Sequence, residues 1–158
     1  MNLFIFFNIP VSFYPDLELI RKRYLENSRN SHPDIAQGED EMKYMELTAL
    51  NNKAYSTLKS EEKRIDYILN ELYPAKDKVK LPPEFLMEMM DTNESLLEAK
   101  LEEDEDAIHK VKREVEQLQL SLKSSLNSLL KEFDFQDLDS LDKIRDLSLR
   151  LNYLKRIL

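Results

Sequence analysis

The sequence predicts an all-α protein built from two helical domains. Three observations carry that prediction. Apolar residues recur at three- and four-residue steps along most of the chain, the period of a helix with one buried face. There is one glycine among 158 residues, too few for the tight hairpins of an antiparallel sheet, which draw on glycine for positive φ. A polar, lysine-rich stretch from Ala75 to Pro83, closed by two prolines, separates halves of different texture.

The first element is an aromatic, apolar segment, Met1 to Pro15, read as a short buried helix followed by a turn between Pro10 and Pro15. It lacks a basic start, and its apolar run from Leu3 to Phe7 is shorter than the ~7–15 residues of a signal core. Asp16 is placed to cap the next helix. Leu17, Ile20 and Tyr24 form its inner face, with Arg21, Lys22 and Arg23 on its other sides. The polar cluster from Asn27 to Ser31, with Pro33, ends it, and the loop Pro33 to Gly38 carries the one glycine. Glu39, Asp40 and Glu41 suit the first turn of another helix, where carboxylates complement the dipole. Leu47, Leu50, Ala54 and Leu58 are its expected apolar face. Ser60 restarts a helix with Ile65, Ile68, Leu69 and Leu72 inside, and Tyr73-Pro74 stops it.

The prolines of the connecting stretch argue for a hinge or packed connection rather than a free tether. Pro83 suits the first turn of a helix running to about Ala99. Ile108, Val111, Val115, Leu118, Leu122, Leu126, Leu129 and Phe133 then form a heptad seam with one stutter. Asp134 to Asp137 breaks it. Ile144, Leu147, Leu151, Leu154 and Leu158 continue at steps of three and four. The last two helices read as an antiparallel hairpin, with the Pro83 helix as third member of a bundle. The domains are therefore 1–73 and 83–158, with a linker at 74–82.

Composition excludes several function classes. No cysteine is present, which removes disulfides, thiolate metal sites and a cysteine nucleophile. The glycine count removes phosphate-binding loops and the dinucleotide fingerprint. A net charge of −8 disfavours nucleic acid, whose binding rests on a basic surface. No stretch approaches the ~20 apolar residues of a membrane span. The acidity is local: residues 88–106 hold nine carboxylates against Lys100. His109 with Asp106 echoes half of a di-metal bundle motif, but the second pair and its extra carboxylates are missing, so a solvated helix face is the better reading. No metal, no cofactor and no enzymatic activity are expected.

His32-Pro33-Asp34 stands apart. Alone it reads equally as an ordinary turn, since proline fixes φ and aspartate turns locally. Its context is a short aromatic helix, a basic amphipathic helix leading in, and a helix of comparable length leading out that contains Asn52-Lys53-Ala54-Tyr55-Ser56-Thr57-Leu58. Arg64 and Tyr67-Ile68-Leu69 follow. In this arrangement residues 1–73 resemble the J-domain of DnaJ-type co-chaperones, an antiparallel helical hairpin with short flanking helices. Phe85-Leu86-Met87-Glu88, an acidic helix and a two-helix hairpin extend the resemblance over nearly the whole chain to the HscB family, the J-domain co-chaperones of iron–sulfur cluster biogenesis. The opening Phe4, Phe7, Pro10 pattern is similar to that family too.

The resemblance implies the roles. His32, Pro33 and Asp34 would be the loop that docks on a DnaK/HscA-class chaperone and stimulates its ATPase. Arg21, Lys22, Arg23 and Arg29 would steer the docking, Arg21 and Arg29 foremost. The pattern departs from many J-domains at Ser31, Leu25, Glu26 and Ile35, so the positive patch is expected to be weaker or differently centred. An IscU-type cluster scaffold would bind Leu86, Met87, Met90, Asp91, Glu94 and Glu98 on the first bundle helix, with Tyr153 at the same surface. Leu86, Met87, Met89 and Met90 are more apolar residues than one core stripe uses, so some of them are expected to stay exposed. Two alternatives stay open: the bundle as a module for a different client or for dimerisation, and an enzyme with a helical metal site. The expectation is a cytoplasmic monomer that binds neither membrane nor nucleic acid.

Overall fold

The computed structural model describes residues 1–31 and 40–157. The His32-Pro33-Asp34 element and Leu158 lie outside the described residues. The chain divides into two compact units, Met1–Pro74 and Ala75–Leu158, and its described secondary structure is helical throughout.

In the first unit α1 (Leu3–Phe6) is a single turn capped by the Asn2 side chain. Leu3, Phe4 and Phe7 are buried, as is Phe13 beyond it. The Leu3 N–H donates to the Tyr67 hydroxyl at 2.9 Å, which ties the start of the chain to a helix more than sixty residues away. Helix α2 (Leu17–Asn30) begins where Asp16 accepts from the N–H groups of Glu18 and Leu19. Ile20 is fully buried, and Tyr24 stacks on Tyr55 at 4.3 Å. Leu17 departs from expectation. It lies on the first turn of α2 and is exposed.

Helix α3 (Glu41–Leu58) runs antiparallel to α2, because Tyr24 meets Asn51 and Asn52 while Ser31 meets Thr48. Its inner face holds Thr48, Asn51, Ala54 and Leu58, so the predicted stripe is kept at Ala54 and Leu58, half-buried at Leu50 and lost at Leu47. Leu47 is exposed, and Ala54 and Leu58 are buried as expected. Leu47 stands four residues before Asn51 on the same side of α3, one turn nearer the start of the helix, while Asn51 and Thr48 bond to Tyr24, Ser28 and Ser31. Helix α4 (Glu61–Tyr67), capped by Ser60, widens into a π-turn over Ile68–Leu72 that closes with Tyr73 N–H donating to the Ile68 carbonyl at 2.9 Å. The turn leaves Ile65, Tyr67, Ile68 and Leu69 all buried.

Arg64 is a buried cation of this unit. Its Nε donates to the Phe13 carbonyl at 2.9 Å and its Nη1 to the Leu58 carbonyl. Burial lowers its pKa from the usual arginine value, opposed by the nearby Glu61 and Tyr14. One guanidinium therefore joins the N-terminal segment to the end of α3, a role suited to a rigid fork of donors.

The second unit holds α5 (Pro83–Leu101), α6 (Glu105–Glu132) and α7 (Leu141–Leu154), the last preceded by a 3-10 turn at Leu138–Ser140. Phe85, Met89, Val115 and Leu154 form one core, with Leu118, Leu122 and Tyr153 packed around it. The seam of α6 holds through Leu126, but at its end Leu130 is buried and Leu129 only partly so. The spacing from Leu122 through Leu126 continues by a further four residues instead of three, so the stutter moves the stripe around the helix. Glu103, between α5 and α6, has φ 56°, and Asp104 N–H reaches back to the Ala99 carbonyl at 2.9 Å. This is a left-handed helix cap of the kind glycine usually occupies. No described helix is long and apolar enough to cross a membrane.

Candidate functional site

Two regions hold the residues that the sequence singles out, one in each unit. In the first unit the described residues are those that flank the His32-Pro33-Asp34 element. Ser31 is the last described residue before the loop, and it is buried. Its hydroxyl donates to the Asn27 carbonyl at 2.8 Å, and its own carbonyl accepts from the Thr48 hydroxyl at 3.1 Å. One helical turn earlier, Asn51 donates from Nδ2 to the Tyr24 carbonyl and to the Ser28 hydroxyl, each at 3.0 Å. Asn51 is 2% exposed. The C-terminal half of α2 is thus bolted to α3 by buried polar contacts, which specify one register where apolar packing tolerates several. Asn51 and Thr48 were not among the residues read as functional. The hydrophobic pattern passes over them, because a polar side chain facing inward breaks the period that reveals a buried face.

The basic residues of α2 separate into two groups. Arg21, Lys22 and Arg29 are exposed and share one outer face with Leu25. Glu18 and Glu26 stand on that face as well, which dilutes its positive charge. Arg23 is different: it is half-buried, and its Nη1 lies 3.1 Å from the Glu26 carboxylate. Its charge is already partnered.

In the second unit the residues singled out on α5 lie along its outer side. Phe85, Met89, Leu96 and Ala99 are buried, and these hold the helix against the bundle. Met89 is 1% exposed, while its neighbour Met90 is 58% exposed. Leu86 and Met87 are exposed as well, at 37% and 66%. Asp91, Glu94 and Glu98 are exposed along the same helix. Asp91 and Glu98 also form part of a groove between α5 and α6, where Glu88, Glu102 and Glu114 join them opposite Lys110. The α5 surface is therefore an apolar patch with an acidic rim. Such an arrangement favours a partner with apolar side chains at its centre and basic ones beside them.

Tyr153 is half-buried. Its ring meets Phe85 edge-on at 5.9 Å, and the Arg150 guanidinium lies over the same phenylalanine at 5.1 Å. The structure therefore places Tyr153 beside the root of α5, one residue from Leu86 through Phe85. His109 is exposed on α6. Among the described residues no group of three or more histidines and carboxylates is placed to hold a metal ion.

Comparison with known proteins adds a framework to this geometry. The family model described as the HSCB C-terminal oligomerisation domain matches residues 81–158. The chain is 31% identical over 154 residues to a co-chaperone protein HscB homolog of Photobacterium profundum, a match covering 93% of this chain and 89% of that protein. It is 38% identical over 84 residues to the mitochondrial J-type co-chaperone jac1 of Schizosaccharomyces pombe, covering 51% of this chain and 37% of that one. Its fold is similar to that of the chaperone HscB from Vibrio cholerae, with a TM-score of 0.67 at 24% identity over 99% of this chain and 93% of that chain.

Proposed function

This chain belongs to the HscB co-chaperone family, and from that premise we propose that it couples an iron–sulfur cluster scaffold to a chaperone ATPase. The His32-Pro33-Asp34 loop docks on a DnaK/HscA-class chaperone and stimulates ATP hydrolysis. The outer side of α5 carries an IscU-type scaffold to the same chaperone. The protein performs no chemistry of its own. Its work is two simultaneous bindings, by which tethering raises the effective concentration of client at the chaperone.

One observation carries the reading. Leu86, Met87 and Met90 are exposed on a helix whose other side is locked into the core by Phe85 and Met89. A rigid, solvent-facing apolar patch is unfavourable for an isolated domain and useful for a binding one. Methionine suits such a surface because its unbranched thioether adapts to the partner's shape. In the first unit the polar contacts of Asn51 and Thr48 support the other half of the reading, since they fix the helix end from which the loop departs.

The test is calorimetric titration of an IscU-type scaffold into the wild-type protein and into a Leu86→Ser, Met90→Ser double variant. Both side chains are exposed, so the variant keeps its fold. Loss of at least about tenfold in affinity is expected, on the scale of truncating two central contacts. Unchanged affinity removes the scaffold from this face.

A second reading is favoured by the description of the matching family model, which names oligomerisation. On it the same apolar patch pairs two copies of the chain. Light scattering at micromolar concentration separates the two readings: a monomer sustains the scaffold reading, and a dimer abolished by the double variant replaces it.

A further inference from the structure

The exposed apolar surface of α5 does not stop at Met90. Leu97 is 58% exposed and Leu101 is 77% exposed. On a helix turning about 100° per residue, positions 86, 90, 94, 97 and 101 fall within an arc of roughly 80°. Four of these five are apolar and exposed, and the fifth is Glu94 at the middle. The seam rises about 22 Å along the helix at ~1.5 Å per residue. Asp91, Glu98 and Glu102 lie beyond one edge of it, lining the groove shared with α6. Lys100 is toward the other.

We propose that the scaffold-contacting surface continues along α5 through Leu97 and Leu101, two positions to which no role has been given. The inference rests on the scaffold reading and deepens it. Continuity chooses the occupant: Leu97 and Leu101 prolong the line of Leu86 and Met90 on the same straight helix, with no break between them other than Glu94. The partner segment this face fits is an extended ridge, apolar along its centre and basic on the side of the groove, rather than a single loop tip. A short contact at Leu86 and Met90 alone leaves the two most C-terminal leucines in water beside a bound partner.

The experiment compares three variants of the full chain in titrations with an IscU-type scaffold: Leu97→Ser with Leu101→Ser, Leu86→Ser with Met90→Ser, and Leu120→Ser. Leu120 is an equally exposed apolar residue on α6, at 68%, and serves as the control. The expected result is about tenfold or greater weakening in the first two and less than about twofold change in the third. Wild-type affinity in the Leu97, Leu101 variant, with weakening in the Leu86, Met90 variant, overturns the extension and leaves the scaffold reading standing. Unchanged affinity in both removes the reading and the extension together. A dimeric wild type that becomes monomeric on Leu97, Leu101 substitution assigns the seam to a second copy and overturns the proposal.

Discussion

Thr48 donates its hydroxyl to the backbone carbonyl of Ser31 across 3.1 Å, and so anchors the residue immediately before His32 to the opposite helix. Asn51 repeats the anchor one turn down, with two donated bonds to α2. A short charged loop transmits force or orientation only if its root is fixed. On the proposed function these two side chains hold the root.

Asn51→Ala removes both bonds and leaves the Tyr24 carbonyl and Ser28 hydroxyl with fewer partners. The expected cost is about 1–3 kcal/mol of stability, the range for unmatched buried polar groups. Thr48→Val is nearly isosteric and removes one bond. It is expected to cost about 1 kcal/mol and to lower chaperone stimulation while scaffold affinity stays unchanged. Urea unfolding checks the first pair of numbers. Wild-type stimulation by Thr48→Val would show that the root needs no such anchor.

Met89 and Met90 offer the sharpest contrast in the bundle, being adjacent in sequence and opposite in burial. Met89→Ala opens a cavity in the core of Phe85, Val115 and Leu154 and is expected to cost about 2–5 kcal/mol. Met90→Ala is expected to change stability by less than about 0.5 kcal/mol, as surface substitutions do. Thermal denaturation of the two variants decides it; equal losses would mean that α5 packs through a different face.

Glu103 sits at φ 56° in the turn between α5 and α6, where a side chain with a Cβ costs roughly 1–2 kcal/mol relative to glycine. Glu103→Gly is expected to stabilise the protein by about 0.5–1 kcal/mol, the rest being offset by the greater freedom of glycine in the unfolded chain. It also removes one of the crowded carboxylates of residues 102–106. A lower melting temperature in the variant would contradict the left-handed cap.

Much of this was legible in the sequence because the period of a helix is a strong signal. Asp16, Ser60 and Pro83 mark helix starts as read, and the seam of α6 follows its leucines as far as Leu126. Four features were not legible, each for a physical reason. Leu47 is exposed although it shares a side of α3 with buried Asn51, because spacing gives the face of a helix and not how far along it the packing reaches. The π-turn at Ile68–Leu72 shifts side chains by a fraction of a turn, below what spacing alone resolves. On α5 the run of apolar residues foretold exposure for some of them, but only packing tells Met89 from Met90. Leu97 and Leu101 fall beyond the Phe85–Glu88 motif, and spacing alone does not tell them from buried Leu96 and Ala99.

Coupling of the two partners is read out by steady-state ATP hydrolysis of the cognate DnaK-class chaperone. The wild-type protein and a His32→Gln variant are each added with and without an IscU-type scaffold. Stimulation by the wild type is expected, with a further rise when scaffold is present and loss of both in His32→Gln even though that variant still binds scaffold. Absence of stimulation by the wild type, or equal stimulation by His32→Gln, would contradict it.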